Sequence, residues 1–135
     1  MAQAEPSRDR ELYILHRGRR NFAFLNLFPY SAGHVLVAPY EHAARLACLE
    51  DATLHEMMML ARRAEAALDA VYHSEGFNLG MNIGKCAGAG VADHLHLHFL
   101  PRWTGDTNFM SVIGETRVLP EELSATYDKL IAHFQ

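Results

Sequence analysis

The chain reads His94-Leu95-His96-Leu97-His98-Phe99-Leu100, a run in which three of its nine histidines alternate with apolar residues. Alternation with a period of two is typical of a β-strand that packs one apolar face on a core. A purely structural strand seldom carries imidazole along the whole of its other face. We therefore interpret the three rings as part of a functional site.

Three interpretations of these rings compete: a half-exposed structural strand, a metal site, and a row of catalytic imidazoles. The rise of a strand separates the Cα atoms of His94 and His98 by ~13 Å, so convergence of all three rings on one zinc with bonds near ~2 Å is awkward. A metal would instead use two of them with ligands from elsewhere, such as His34 or Asp93. A row of rings that share nucleophile, leaving-group and positioning tasks on an extended charged substrate fits the geometry best.

The patterns that flank this run predict an α+β fold with an antiparallel sheet. Apolar residues recur at three and four positions after Asp51, which predicts an amphipathic helix that ends near His73. Pro120 suits the first position of a C-terminal helix. Alternation predicts strands over residues 11–15, 21–27, 34–38, 77–83 and 94–100. We expect residues 1–10 to be a disordered N-terminal segment and residues 11–135 to form a single domain.

The composition excludes several classes of protein. At 135 residues and 15.2 kDa the chain suffices for one domain, and its net charge of −4 argues against nucleic-acid binding. No apolar run approaches the ~20 residues of a membrane span. The N-terminus lacks the apolar segment of a secretion signal, and Cys48 and Cys86 form no CxxC pair. We therefore expect reduced thiols and a cytoplasmic protein with no membrane partner.

The triad run resembles the signature of the histidine-triad (HIT) family of nucleotide-binding enzymes, and the likeness covers roughly residues 11–110. Phe22-Ala23-Phe24-Leu25-Asn26 and Gly33-His34-Val35-Leu36-Val37-Ala38-Pro39 resemble the second and third strands of that family. Pro101-Arg102-Trp103-Thr104-Gly105-Asp106-Thr107-Asn108-Phe109-Met110 resembles a bacterial branch near the fragile-histidine-triad and diadenosine tetraphosphate phosphorylase groups. The resemblance implies a five-stranded antiparallel sheet with one long helix and a C-terminal helix, paired as a two-fold homodimer.

The resemblance also implies catalytic roles for the three rings of the run. His96 would attack an α-phosphorus and form a covalent nucleotidyl-histidine, because neutral imidazole is a good nucleophile near neutral pH. His98 would hydrogen-bond the bridging oxygen that departs, and His94 would orient His96 through its backbone carbonyl. This chemistry requires no metal cofactor, although a polyphosphate substrate can bring magnesium with it.

A second set of residues would bind the nucleotide. Three glycines in the segment 84–90 allow consecutive backbone N–H groups to form a concavity that binds anions. Family resemblance places an apolar base pocket, a nucleoside-binding Asn, a fourth histidine and an amide near the phosphates elsewhere in the chain. The nucleotide-binding residues that follow from this are Phe24, Asn26, His34, Leu36, Asn82, Gly88 and Gly90.

The chain departs from the family pattern in two places. Hydrolytic branches carry a Gln four residues before the first triad histidine, where this chain has Gly90, so the agent that resolves the intermediate is open: water or inorganic phosphate. Many bacterial relatives have a CxxC pair that completes a structural zinc site with two histidines. That pair is absent from this sequence, which leaves His42 and His94 at the histidine positions and predicts no metal site. We otherwise interpret His42 as an ordinary surface residue.

The sequence therefore predicts an enzyme that cleaves dinucleoside polyphosphates, such as diadenosine tetraphosphate, by hydrolysis or phosphorolysis. Two alternatives stay open. One is a nucleoside phosphoramidase or aminoacyl-adenylate hydrolase of the same superfamily. The other is a nucleotide-binding regulatory module whose turnover is incidental.

Overall fold

The computed structural model describes residues 4–90, 94–107 and 121–135. Five antiparallel strands form one sheet in the spatial order β1-β2-β3-β5-β4, which confirms the predicted fold class. The strands are β1 (Ile14–Arg17), β2 (Asn21–Leu25), β3 (Val35–Pro39), β4 (Gly76–Gly80) and β5 (Leu97–Arg102).

Two helices follow the pattern that the sequence predicts. Helix α1 (Asp51–Tyr72) packs across β2, β3 and β5 and ends at His73, whose left-handed backbone conformation stops it. Helix α2 (Leu123–Leu130) packs beside α1 and buries Tyr127 and Leu130. The predicted start of this helix at Pro120 lies outside the described residues. No helix in the described part of the chain is long and apolar enough to cross a membrane.

The sheet has two different faces because successive side chains of a strand point to opposite sides. The core between the sheet and α1 contains alternate residues of the three central strands and of the segment just before β5. These residues are Ala23, Leu25, Val35, Val37, Leu95, Leu97 and Phe99. The intervening positions, which include Phe24, Leu36 and His98, therefore face away from α1. The helix covers only one face and leaves the other available for a site.

Strand β5 begins three residues later than the alternation predicts. His94 and His96 precede it, although Leu95 between them is buried in the core. Val37 pairs with Leu97, but the next partner on β3 is Pro39, which has no N–H to continue the ladder. The N–H of Leu95 donates to the carbonyl of Ala43 at 2.7 Å instead. The side chains therefore already alternate between the two faces at residues 94–96, before the backbone hydrogen bonds of β5 begin.

The first strand also differs from its predicted range, 11–15. Residues 9–13 form a turn in which Tyr13 has a φ of 54°, and the N–H of Ile14 donates to the carbonyl of Asp9. Because a positive φ interrupts an extended chain, β1 can begin only at Ile14. The preceding segment includes a short 3-10 helix, Pro6–Arg8. Disorder of residues 1–10 stays a prediction.

The turn between β1 and β2 is held by a carboxylate from α1. Glu56 accepts hydrogen bonds from the backbone N–H groups of Arg19, Arg20 and Asn21 and from Nδ2 of Asn21, at 2.7–2.9 Å. A Cβ at Gly18 would lie 2.9 Å from the carbonyl oxygen of Asn21, so the turn is too tight there for a side chain. Burial raises the pKa of Glu56, but these hydrogen bonds outweigh burial, and the pKa lies below its usual range.

We expect Glu56→Ala to lower the free energy of unfolding by about 2–4 kcal/mol, because it leaves several donors of the turn unpaired. Urea unfolding near neutral pH measures the change, with Glu65→Ala on an exposed position of the same helix as the control. Since the pKa of Glu56 is lowered by folding, the difference should shrink as the pH falls through that lowered value. Equal stability of the two variants would contradict the role given to this carboxylate.

Candidate active site

The face of the sheet that α1 leaves open forms a cavity of about 690 Å³, within the usual range for small-molecule sites. It contains nine of the ten site residues that the sequence predicts. The tenth, His34, is only 1% exposed and lies behind His98. The nine in the cavity wall are Phe24, Asn26, Leu36, Asn82, Gly88, Gly90, His94, His96 and His98.

His96 presents an unprotonated nitrogen when its ring is neutral. Its Nδ1 lies 3.0 Å from the backbone carbonyl of His94, which can only accept a hydrogen bond. Nδ1 therefore carries the proton and donates, and the lone pair is on Nε2. The contact through the carbonyl of His94 is the one that the resemblance implies. It leaves a nucleophilic nitrogen on a ring in the cavity wall.

His98 has the opposite tautomer, and His34 determines it. Nδ1 of His34 accepts a hydrogen bond from the backbone N–H of Tyr30 at 3.1 Å, so the proton of a neutral His34 is on Nε2. That Nε2 donates to Nδ1 of His98 at 2.9 Å. Neutral His98 must then carry its own proton on Nε2. The site therefore places a nitrogen acceptor on His96 beside an N–H donor on His98, with ring centroids 4.8 Å apart.

The surroundings of His98 disfavour the protonated form of its ring. Burial lowers the pKa of His98, and the neighbouring His96 lowers it further. A proton added to Nδ1 would also face the N–H of His34. His98 is consequently a hydrogen-bond donor over the whole neutral range of pH.

His42 corrects one expectation from the sequence. The sequence analysis predicts an ordinary surface residue at this position. His42 is indeed exposed, but it also lines the cavity and contacts the triad. Nε2 of His94 donates to the carbonyl of Pro39 at 2.9 Å, so its Nδ1 accepts from Nδ1 of His42 at 3.0 Å. His42 thus helps to fix the ring of His94, the first histidine of the triad.

His42 and His94, the histidines at the positions of the structural zinc site, contact each other, and no third candidate ligand joins them among the described residues. Both ring nitrogens of His94 already have partners, and so do both nitrogens of His34. The described residues contain no group of three or more His, Cys, Asp or Glu side chains that could hold a metal. Asp93, the other candidate ligand, lies outside them.

The glycine-rich loop forms one wall of the cavity and includes a short 3-10 helix, Lys85–Ala87. Gly88 has a φ of 87°, and a Cβ there would lie 2.9 Å from Nδ2 of Asn82, which donates to the carbonyl of Ala87 at 2.7 Å. Glycine is therefore required at position 88. Gly90 differs, because its φ is not in the left-handed region and a Cβ there would contact none of the described residues within 4 Å.

Aromatic rings form the opposite wall, and most of them were not predicted as site residues. Phe22 stacks on Phe24 and on Tyr40, with ring centroids 4.9 and 5.3 Å apart. The alternation of β2 and β3 could have predicted Phe22, Ala38 and Tyr40, because they lie an even number of residues from Phe24 or Leu36 and so are expected on the same face of the sheet. No periodic signal marks the other wall residues that were missed, which are Phe28, Tyr30, His42 and Ala89.

This fold and site define a class of small α+β sheet proteins in which an imidazole with a free acceptor nitrogen lies beside an imidazole donor in an open cavity. The chain belongs to the HIT family, since the family model described as HIT domain matches residues 12–105.

Relatives of this chain include named enzymes. It is 41% identical over 118 residues to a Mycobacterium tuberculosis protein named AP-4-A phosphorylase, covering 87% of this chain and 60% of that protein. The chain thus spans less than two thirds of that relative. A Schizosaccharomyces pombe protein named Bis(5'-nucleosyl)-tetraphosphatase [asymmetrical] is 32% identical over 69% of this chain and 50% of its own length. A zinc-bound histidine triad family protein from Mycobacterium smegmatis is similar in structure, with a TM-score of 0.75 and 27% identity over 91% of this chain and 84% of that one.

We expect nuclear magnetic resonance of ¹⁵N-labelled histidine to find neutral His96 protonated on Nδ1 and neutral His98 protonated on Nε2. Titration should give His98 a pKa below the usual value of about 6.5. In His96→Asn the pKa of His98 should rise, because the electrostatic effect of the neighbouring His96 is removed. It should still lie below the usual value, because the ring of His98 remains buried. A His98 pKa above the usual value in the wild type would contradict the arrangement of donors.

Proposed function

We propose that the protein cleaves dinucleoside polyphosphates, such as diadenosine tetraphosphate, at an α-phosphate through a covalent nucleotidyl-histidine on His96. The observation that carries this proposal is the pairing of the Nε2 lone pair of His96 with the Nε2–H of His98 in one nucleotide-sized cavity. The names of two relatives, a phosphorylase and a tetraphosphatase, support the same substrate class.

In the first step Nε2 of His96 attacks the α-phosphorus, and the bond from phosphorus to the bridging oxygen breaks. The electron pair stays on that oxygen, which leaves with the rest of the polyphosphate as an anion. His98 stabilises the developing charge by donating its Nε2–H. Water or inorganic phosphate then breaks the P–N bond, which releases AMP or ADP respectively. His94 acts as a positioning residue for His96, and His34 for His98.

The state of His98 favours a polyphosphate leaving group over an amine. A neutral imidazole donates a hydrogen bond readily but gives up its proton reluctantly, and burial disfavours the protonated ring. A polyphosphate is stable as an anion and needs only the hydrogen bond. An amine leaves a phosphoramidate only after it takes up a whole proton. The site therefore supports phosphoanhydride cleavage better than the phosphoramidase alternative.

The nucleotide-binding roles follow from the positions of the wall residues. Phe24 and Leu36 pair across β2 and β3 and would pack on the base, and Asn26 at the end of β2 would contact the nucleoside. The loop that contains Gly88 and Gly90 would surround the phosphates. Asn82 would act partly by holding that loop, since its amide donates to a loop carbonyl.

We also propose a homodimer in the cytoplasm. Strand β4 lies at one edge of the sheet within the described residues, and Leu79 on this strand and Ile83 after it are exposed. An unpaired edge with exposed apolar side chains suits pairing with a second copy. Cys48 and Cys86 are free thiols, which agrees with a reducing compartment. Light scattering of the purified protein distinguishes one chain from two, and cell fractionation tests the compartment.

The wild-type protein should cleave diadenosine tetraphosphate, and His96→Asn should abolish turnover while AMP still binds. Loss of a covalent nucleophile removes several powers of ten in rate, each worth ~1.4 kcal/mol of barrier. Chromatography of the products with and without inorganic phosphate measures the reaction, and His55→Asn on an exposed position of α1 is the matched control. Near-normal rates in His96→Asn would eliminate the covalent mechanism. Tight AMP binding without turnover in the wild type would instead support a regulatory module.

We expect the wild type to form ADP in phosphate buffer and Gly90→Gln to raise the ratio of AMP to ADP. A Cβ at this position would meet none of the described residues within 4 Å, so we expect the variant to fold normally. Gln would occupy space that phosphate needs and would add a donor, and one hydrogen bond to a charged group is worth ~1.5–3 kcal/mol, or about tenfold or more in the ratio. If the wild type makes only AMP at saturating phosphate, the enzyme is a hydrolase.

A further inference from the structure

Two aromatic side chains of the β2–β3 loop line the cavity but are not used by the steps above. Phe28 is 81% exposed and Tyr30 is 54% exposed, and both rings belong to the cavity wall. Large aromatic rings displayed in this way at the edge of a small-molecule site are typical of surfaces that bind a partner ring.

The loop that displays these rings is fixed by side chains of the site. The N–H of Phe28 donates to Oδ1 of Asn26 at 3.0 Å, and the N–H of Tyr30 donates to Nδ1 of His34 at 3.1 Å. The ring of Tyr30 lies 4.8 Å from that of His34, centroid to centroid. The backbone is thus anchored on both sides of Pro29, so the loop and the ring of Tyr30 need little reordering when a ligand binds.

Tyr30 lies close to His98, the ring that would donate to the leaving oxygen. Tyr30 is nearly parallel to His98, with an angle of 13° and ring centroids 6.0 Å apart. His98 lies level with Leu36 of β3, and the next contact along the sheet is the hydrogen bond from the N–H of Asn26 to the carbonyl of His34, where the loop begins and ends. The direction from His96 to His98 therefore leads towards this loop.

A phosphoryl group is displaced in line, so the leaving oxygen lies opposite the attacking nitrogen. With the nucleophile on His96 and the donor on His98, the leaving half of the substrate extends past His98 to the loop. We propose that Phe28 and Tyr30 form a stacking platform for the second nucleoside of a dinucleoside polyphosphate. This inference rests on the proposed function and extends it, because it distinguishes dinucleoside substrates from mononucleoside polyphosphates.

Stacking on an aromatic ring tolerates any base, since every base has a π-face. The platform therefore contributes affinity for a second nucleoside without selecting its base. Substrates that share the first adenylate and the phosphate chain, but differ in the distal base, should be bound with similar KM values.

The test compares diadenosine tetraphosphate with adenosine 5′-tetraphosphate, which has the same adenylate and phosphates but no second nucleoside. Phe28→Ala should raise the ratio of the KM for diadenosine tetraphosphate to the KM for adenosine 5′-tetraphosphate about tenfold, the scale of one stacking contact. Phe28→Tyr should restore the wild-type ratio because it keeps the ring. Met58→Ala, which removes an exposed apolar side chain from α1, is the control and should leave the ratio unchanged.

Equal increases in both KM values would mean that Phe28 contacts the nucleoside common to both substrates, and an unchanged ratio would mean that it contacts neither; each result overturns the platform. Equilibrium binding of the same two nucleotides in the His96→Asn background does not depend on turnover. It decides the platform even if the wild type cleaves neither nucleotide, a result that would refute the proposed function separately.

Discussion

The hydrogen bond from the backbone N–H of Tyr30 to Nδ1 of His34 determines which nitrogen donates and which accepts on both His34 and His98. A backbone N–H cannot change its role, so the proton of a neutral His34 is fixed on Nε2, and His98 in turn becomes a donor on its cavity side. The carbonyl of His94 fixes His96 in the opposite sense. Neighbouring imidazoles of the same chemical type therefore acquire different tasks from backbone groups that do not titrate.

These contacts depend on a sheet whose two faces differ, because α1 packs on one of them and the cavity lies on the other. The positions that include Val35 and Val37 pack on α1, so Leu36 between them must face the cavity. The same parity brings Phe24 and His98 level with it on the neighbouring strands. A shift of one residue in this register would exchange the side chains of the core with those of the cavity. The packing of α1 therefore also specifies the positions of the triad rings.

Alternation in the sequence predicted the sheet and the triad, and recurrence at three and four positions predicted the helix, because both periodicities are local information. Most of the other predicted wall residues came from the family resemblance. Alternation failed where a single backbone group ends a ladder, as at Pro39, or where a positive φ interrupts a strand, as at Tyr13. The sequence did not identify His42 and Tyr30 as site residues because neither lies within a strand. The contact of His42 with His94 also joins distant parts of the chain, and that of Tyr30 with His34 depends on the conformation of a loop. Donor and acceptor roles likewise required coordinates, since both depend on partners that spacing does not reveal.

The tautomer of His98 also bears on the second step of the proposed reaction. Its Nδ1 lone pair is engaged by His34 and its Nε2 already holds a proton, so this ring cannot accept a proton from an attacking water. Inorganic phosphate needs no such base, because near neutral pH it already carries unprotonated oxygens. Gly90 also presents no side chain to the cavity, where a Cβ would meet none of the described residues within 4 Å. Both the protonation pattern and the shape of the site therefore favour phosphate over water as the agent that releases the nucleotide from His96.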